Sequence, residues 1–330
     1  MADVADNAVP SSDIKKPTLM AAAAYALVPV GLVALCFWLV IEVLLRLRAW
    51  RRRGRRSPLI SKLLRGPGNT LRSEIDDASG DIAAYVSTLL SFPLSVLGIH
   101  LSQSYLAGTP ESTLRVSISV LVVLGGIAFL AYRLHGSSHR RFQLQCALDA
   151  EIAVAQELDQ LMRQGAITFH DFPAEQFNID HVVVTRGGVF AVETKSRLKP
   201  DRGGGAEDAK VIFDGHALLF PGWHDTTTLE QARRQAVWLG RWLSRAVGSP
   251  VEVKPVVALP GWYVERQAKS DVRVISGREA KSLLSGWRGD LLSDETITRI
   301  AHQLEERCRN VEPVQFGRAR KIGRLVPGRA

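Results

Sequence analysis

The fold class this sequence predicts is an α/β domain preceded by an α-helical membrane-spanning region, and three observations carry that expectation. Apolar residues crowd the first 135 positions, whereas charges crowd the chain from about Arg140 onward. The first part holds three largely uncharged stretches, each long enough or nearly so to cross a bilayer core, which takes roughly 20 residues. The second part alternates helical periodicity with short β-rich runs, the pattern of layered α/β domains. A chain of 330 residues is long enough for both parts and for a buried core.

In chain order, a short tail over residues 1–18 leads to the stretch 19–45, apolar apart from Glu42 and followed by arginines rather than a small-residue cleavage site. It reads as an anchor that is retained. A basic loop over 46–81 follows, with the run Arg51-Arg52-Arg53-Gly54-Arg55-Arg56. The second span is 82–108, containing Pro93 and His100, with a re-entrant or interfacial segment as its alternative. The third is 114–134, containing Arg115 and Arg133 near its ends. Lysines and arginines concentrate in 46–72 and 133–141. The positive-inside rule therefore puts the N-terminus outside and everything after Tyr132 in the cytoplasm, with only Lys15 and Lys16 opposing. The expected location is the cell membrane, multi-pass, with membrane lipids as partners and a homo-oligomer through the spans as a further expectation.

Net charge is +9, and the basic runs, including 318–329, suit polyanions, either lipid headgroups or nucleic acid. Cys36, Cys146 and Cys308 form no CxxC and no ligand-spaced pair with His, which argues against a disulfide framework and a structural zinc site. The α/β part spans 140–310, ahead of a basic tail over 311–330. It opens with a helix over 142–163, where Leu144, Leu148, Ile152, Ala155, Leu158 and Leu161 recur at helical spacing until Gly165. Runs 179–185 and 189–194, separated by Arg186-Gly187-Gly188, predict a hairpin. A second hairpin falls over 210–220 around Asp214-Gly215. A basic amphipathic helix over 228–246, strands at 253–259 and 272–275, and helices at 277–285 and 293–309 complete the set.

The stretch 178–195, NIDHVVVTRGGVFAVETK, carries the chemistry. With Arg186-Gly187 as a two-residue loop, Thr185 pairs with Gly188, and counting outward puts Asp180 opposite Glu193 with Cβ atoms about 5 Å apart. Lys195 shares the face of Glu193 because side chains alternate along a strand. A three-residue loop would shift that pairing by one. Two adjacent carboxylates repel unless a cation lies between them, and oxygen ligands at this spacing suit Mg²⁺ or Mn²⁺. Such an ion acidifies a bound water and stabilises charge on a phosphate while the lysine orients that water, a combination that suits phosphodiester hydrolysis. An ordinary cross-strand salt-bridge patch is the competing reading.

These residues, with the Gln-bearing helix that follows, resemble the nuclease-related domain (NERD), a branch of the PD-(D/E)XK nuclease superfamily. The resemblance covers roughly 144–243. It implies a restriction-endonuclease-like fold, a mixed sheet flanked by helices, and a metal-dependent nuclease. Asp180, Glu193 and the helix residue Glu151 would be metal ligands, Lys195 the group that positions water, and Gln231 a group near the phosphate or the metal's water, with Gln235 as its rival. The chain differs from the family pattern in having Ala147 and Ala150 beside Glu151, Thr228 ahead of Gln231, and Ser196 after Lys195.

Weaker candidates are Arg233, Arg234 and Arg241, which lie on one helix and fit either a phosphate-backbone track or a solvated face. Trp238 and Trp242 are at core spacing, His100 suits packing, and His170-Asp171 lacks a partner motif. The functional expectation is a membrane-anchored, Mg²⁺- or Mn²⁺-dependent nuclease acting on nucleic acid, DNA favoured, at the cytoplasmic face. Its alternative is an inactive nucleic-acid-binding or scaffold module.

Overall fold

The computed structural model describes residues 19–51, 58–105, 108, 110–284 and 291–313. The N-terminal tail, Arg52 to Arg56 of the basic run, and the tail beyond residue 313 lie outside the described residues. The described residues divide into two compact units, those of 1–53 with those of 80–138, and those of 54–79 with those of 139–330.

The first unit is helical. Helix α1 spans Leu19–Arg51, α2 spans Asn69–Tyr105 and α3 spans Thr113–Asp159, the last two extending into the second unit. Among the described residues two helices, α2 and α3 with its 3₁₀ extension to Gln164, are long and apolar enough to cross a membrane. Small residues sit where helices approach: a Cβ on Gly126 would lie 2.2 Å from the Phe92 ring, and one on Gly98 would lie 2.8 Å from Pro29. His100, on α2, lies 3.5 Å from Glu111.

Both long helices outrun the apolar stretches. Helix α2 begins at Asn69, directly after Gly66-Pro67-Gly68, because proline and glycine stop the preceding chain and the polar residues 69–81 include good helix formers. Helix α3 runs through His135-Gly136-Ser137-Ser138 without a break. Weak formers cost about 1 kcal/mol at most each, and there is no proline there to remove a hydrogen bond or clash.

The second unit contains β1 (Leu63–Leu64), β2 (Ile167–Pro173), β3 (Asn178–Thr185), β4 (Gly188–Thr194), β5 (Lys210–Phe213), β6 (Leu218–Phe220), β7 (Trp223–Asp225), α4 (Thr227–Val247), β8 (Val253–Ala258), β9 (Tyr263–Arg266), β10 (Arg273–Ile275), α5 (Asp294–Cys308) and β11 (Arg309–Val311). A five-stranded mixed sheet has the order β10-β8-β4-β3-β2, antiparallel through β2-β3-β4 and parallel through β4-β8-β10. Alternation along the strands buries both faces. Val182, Val184, Val189 and Ala191 pack with Leu239 and Leu243 of α4 and Ile300 and Leu304 of α5. Val183, Phe190 and Val192 pack with Val154 and Leu158 of α3. The fold is thus mixed α/β, with sheets flanked by helices, as the sequence predicts.

Besides the short strands β1, β7, β9 and β11, none of which was expected, four features depart from the expectation. Strand β2 is additional, its hydrophobic alternation masked by His170, Asp171 and Pro173, and its ladder with β3 omits Asp171, which adopts φ +48°. The second hairpin turns on Gly215 and His216 rather than on Asp214-Gly215, because the Asp214 carboxylate accepts the backbone N–H groups of His216 and Ala217 and so sits just before the turn. That hairpin belongs to a separate four-stranded sheet, β7-β6-β5-β9. The segment Gly277–Leu283 is a 3₁₀ helix opened by a Ser276/Glu279 capping box.

Candidate active site

The β3–β4 register is the one expected. Thr185 pairs with Gly188 and His181 with Val192, so the next step outward along the same ladder is Asp180 with Glu193. Both belong to the face that α4 covers. The N-terminus of α4 is fixed by Asp225, whose carboxylate accepts the Thr228 N–H at 3.1 Å and the hydroxyls of Thr227 and Thr228 at 2.8 and 2.7 Å, and pairs with Arg197 at 2.8 Å. These bonds hold the Asp225 carboxyl well below its ordinary range. From that anchored start, Gln231 and Gln235, four residues apart and so on one helix face, reach the sheet together.

Glu193 is 3 % exposed and saturated with donors. Lys195 Nζ lies 2.6 Å from its Oε1, and Gln231 Nε2 donates to the same oxygen at 2.8 Å. Gln235 Nε2 donates to Oε2 at 2.6 Å. Lys195 also donates to Gln231 Oε1 at 3.0 Å, closing a triangle that fixes both the ammonium and the amide. Asp180 accepts the Thr194 backbone N–H at 2.6 Å. Burial and then the nearby Glu193 and Glu151 push its carboxyl well above the ordinary carboxylate range. Glu151 enters from α3. Burial first, then Asp171 and Glu193, push its carboxyl up to about 7, opposed by a hydrogen bond from the Gly68 N–H and by Lys195.

Glu151, Asp180, Glu193 and Lys195 therefore line one pocket of about 580 Å³, with Phe142 and Cys146 among its other walls. The structure brings five predicted residues together: Asp180, Glu193, Lys195, Glu151 and Gln231. Gln235, expected only as a rival of Gln231, binds Glu193 beside it. The predicted nucleic-acid contacts are more scattered. Arg233 is paired with Asp271, both bonds 2.8 Å, whereas Arg234 and Arg241 are exposed on α4. Trp238 and Trp242 stack on one another, half-buried against Phe172 with Arg307 over their rings, in the structural role expected of them.

Among the described residues no group of three or more His, Cys, Asp or Glu side chains stands ready as a metal cage. Glu193 has both of its oxygens occupied by Lys195 and the two glutamines. The donor set nevertheless suits a hard divalent cation, because three oxygen ligands face a single ammonium. The surplus negative charge of the ionised cluster is what one such cation would neutralise, and burial first, then the neighbouring acids, push the Asp180 and Glu151 carboxyls up.

The comparison with known families bears on the same stretch of chain. Residues 147–260 match the family model of the nuclease-related domain. This chain carries a nuclease-related domain. The match takes in Glu151, β2 to β8 and α4, and with them every carboxylate of the pocket. A curated protein, the DNA ligase of Nitratidesulfovibrio vulgaris (strain DSM 19637 / Miyazaki F), is 25% identical over 209 residues, covering 63% of this chain and 26% of the ligase. The chain thus spans about a quarter of that relative's length. No solved structure matches.

Proposed function

We propose that this chain is a membrane-anchored, metal-dependent nuclease that hydrolyses phosphodiester bonds of nucleic acid, DNA in preference, at the cytoplasmic face. The observation that carries the reading is the convergence of Glu151, Asp180, Glu193 and Lys195 on one pocket within the nuclease-related domain. The likeness to a protein named DNA ligase favours DNA as the substrate. Two long apolar helices support the anchor, and the excess of Lys and Arg in 46–72 and 133–141 supports a cytoplasmic α/β unit.

Asp180, Glu193 and Glu151 would hold Mg²⁺ or Mn²⁺, which when bound supplies Lewis-acid stabilisation of the phosphate and acidifies water. The chain's own residues do the rest. Lys195, held by Gln231 and Glu193, places a positive charge beside the carboxylates, where it orients the attacking water and offsets charge on the scissile phosphate. Gln231 and Gln235 keep the Glu193 carboxylate from rotating. Arg197, fixed by Asp225, sits at the pocket wall two residues beyond Lys195.

The test is cleavage of labelled DNA and RNA by the full chain in detergent, with and without Mg²⁺ or Mn²⁺. Metal-dependent cleavage that is lost in Asp180→Ala and Lys195→Ala supports the reading. Wild-type turnover no greater than that of those variants would overturn it. The alternative, an inactive module that binds nucleic acid, is favoured by one observation: Lys195 already occupies the cation's electrostatic place at Glu193, 2.6 Å away. Salt-sensitive, metal-indifferent binding without cleavage is its signature.

A further inference from the structure

The nuclease-related match begins at residue 147, yet the pocket's Glu151 is held from a segment far upstream. Residues 65–70, Arg-Gly-Pro-Gly-Asn-Thr, lead into and open α2 and belong to the same compact unit as the site. Gly68 is buried, adopts φ +64° and donates its N–H to the Glu151 carboxylate. A Cβ at this position would lie 2.2 Å from Leu148 Cδ1 and 3.5 Å from Glu151 Oε2, so both the conformation and the space require glycine.

Two residues further on, Thr70 is bonded through both its N–H and its hydroxyl. Its N–H and hydroxyl donate to Asp171 Oδ2 at 2.8 and 2.9 Å, and its oxygen accepts from Asn178 Nδ2 at 2.6 Å and from Arg65 at 2.5 Å. Arg65 in turn forks onto Asp171 Oδ2 at 3.0 and 2.6 Å, and its N–H donates to the Cys308 carbonyl. Asn178 opens β3, two residues before Asp180, and its carbonyl receives Gln235. The segment therefore touches both sides of the acidic cluster, Glu151 through Gly68 and the Asp180 end of β3 through Thr70.

We propose that residues 65–70 form a positioning element of the site, with Gly68 orienting Glu151, Thr70 orienting the start of β3, and Arg65 with Asp171 locking the segment to the sheet. The site is on this account discontinuous in the chain, completed by residues that precede and open α2. In its catalytic consequence the proposal rests on the nuclease reading. In its structural content it does not.

The experiment compares Thr70→Val, Thr70→Ser and Gly68→Ala in the full chain in detergent, by hydrogen–deuterium exchange and by steady-state cleavage. Thr70→Val should raise exchange in 65–72 and 178–181 while leaving β8 and α5 protected, and lower kcat about 10–100-fold with KM unchanged. Thr70→Ser, which keeps the hydroxyl, should restore both. Gly68→Ala should raise exchange around Glu151, and if it does not fold the threonine pair still decides. Unaltered exchange and kcat in Thr70→Val would overturn the proposal, as would exchange rising uniformly over the chain, the mark of a merely structural role. Local exchange changes in a chain that cleaves nothing even as wild type would uphold the positioning element and overturn the nuclease reading instead.

Discussion

Glu193 and Glu151 share a pocket and nearly the same burial, but the structure treats them oppositely. Glu193 is gripped on both oxygens by an ammonium and two amides. Glu151 is buried, faces two other acids and receives only one backbone N–H, so its carboxyl is pushed up to about 7. The contrast separates a carboxylate whose geometry is set by the fold from one whose charge is left uncompensated. Such a division suits a site that must be rigid where water is oriented and electrostatically unsatisfied where a cation is to be drawn in.

The sharpest way to break this comparison is to attack the gripped side. Lys195→Ala should lower single-turnover cleavage by roughly 10²–10⁴-fold and leave Glu193 short of a counter-charge. Glu193→Gln is a better probe than Glu193→Ala, because alanine would strand Lys195 and both glutamines without their partner. Next in size, Gln235→Leu removes the only donor to Glu193 Oε2 among the described contacts. It should cost about 1–3 kcal/mol of stability, read by chemical denaturation, with a smaller loss of activity than Lys195→Ala.

On the unsatisfied side the effect should change sign. Glu151→Gln should abolish activity yet stabilise the metal-free chain by about 1–3 kcal/mol above pH 7. The folded carboxyl titrates near 7 and the unfolded one near 4.5, so wild-type stability from this group falls as pH rises between those values. The variant should therefore show its advantage at pH 8 and lose it below about pH 4.5. Destabilisation by Glu151→Gln at pH 8 would contradict the account of this residue. Smallest of the set, Asp225→Asn should cost about 1–2 kcal/mol at neutral pH by loosening the start of α4. Because its folded carboxyl titrates below the unfolded one, that difference should vanish as pH falls through the acid range.

How far the sequence revealed the site follows the same division. Asp180, Glu193 and Lys195 were legible because a two-residue loop and a period of two fix which side chains share a face, and the observed ladder keeps that register. Gln231 and Gln235 were legible only as rivals for one role, whereas their spacing of four on α4 lets both reach Glu193. The surroundings of Glu151 were not legible. Its Gly68 donor, and the Thr70 and Arg65 partners of Asp171, lie some hundred residues upstream of β2, in a turn whose local signals announce only a helix start. Strand β2 was hidden by its own function as a scaffold, since Asp171 breaks the alternation to meet Arg65. In the helical part, composition located the apolar stretches but not the helix ends, because nothing in 69–81 or 135–141 forces the chain out of a helix.

The central claim is that Glu151, Asp180 and Glu193 together attract a divalent cation. Titration of Mn²⁺ into the full chain in detergent, without nucleic acid and followed by electron paramagnetic resonance, tests it directly. The account predicts one Mn²⁺ per chain, with affinity reduced about tenfold or more in Asp180→Asn and in Glu151→Gln. No Mn²⁺ bound by the wild type, or equal affinity in wild type and both variants, would contradict it.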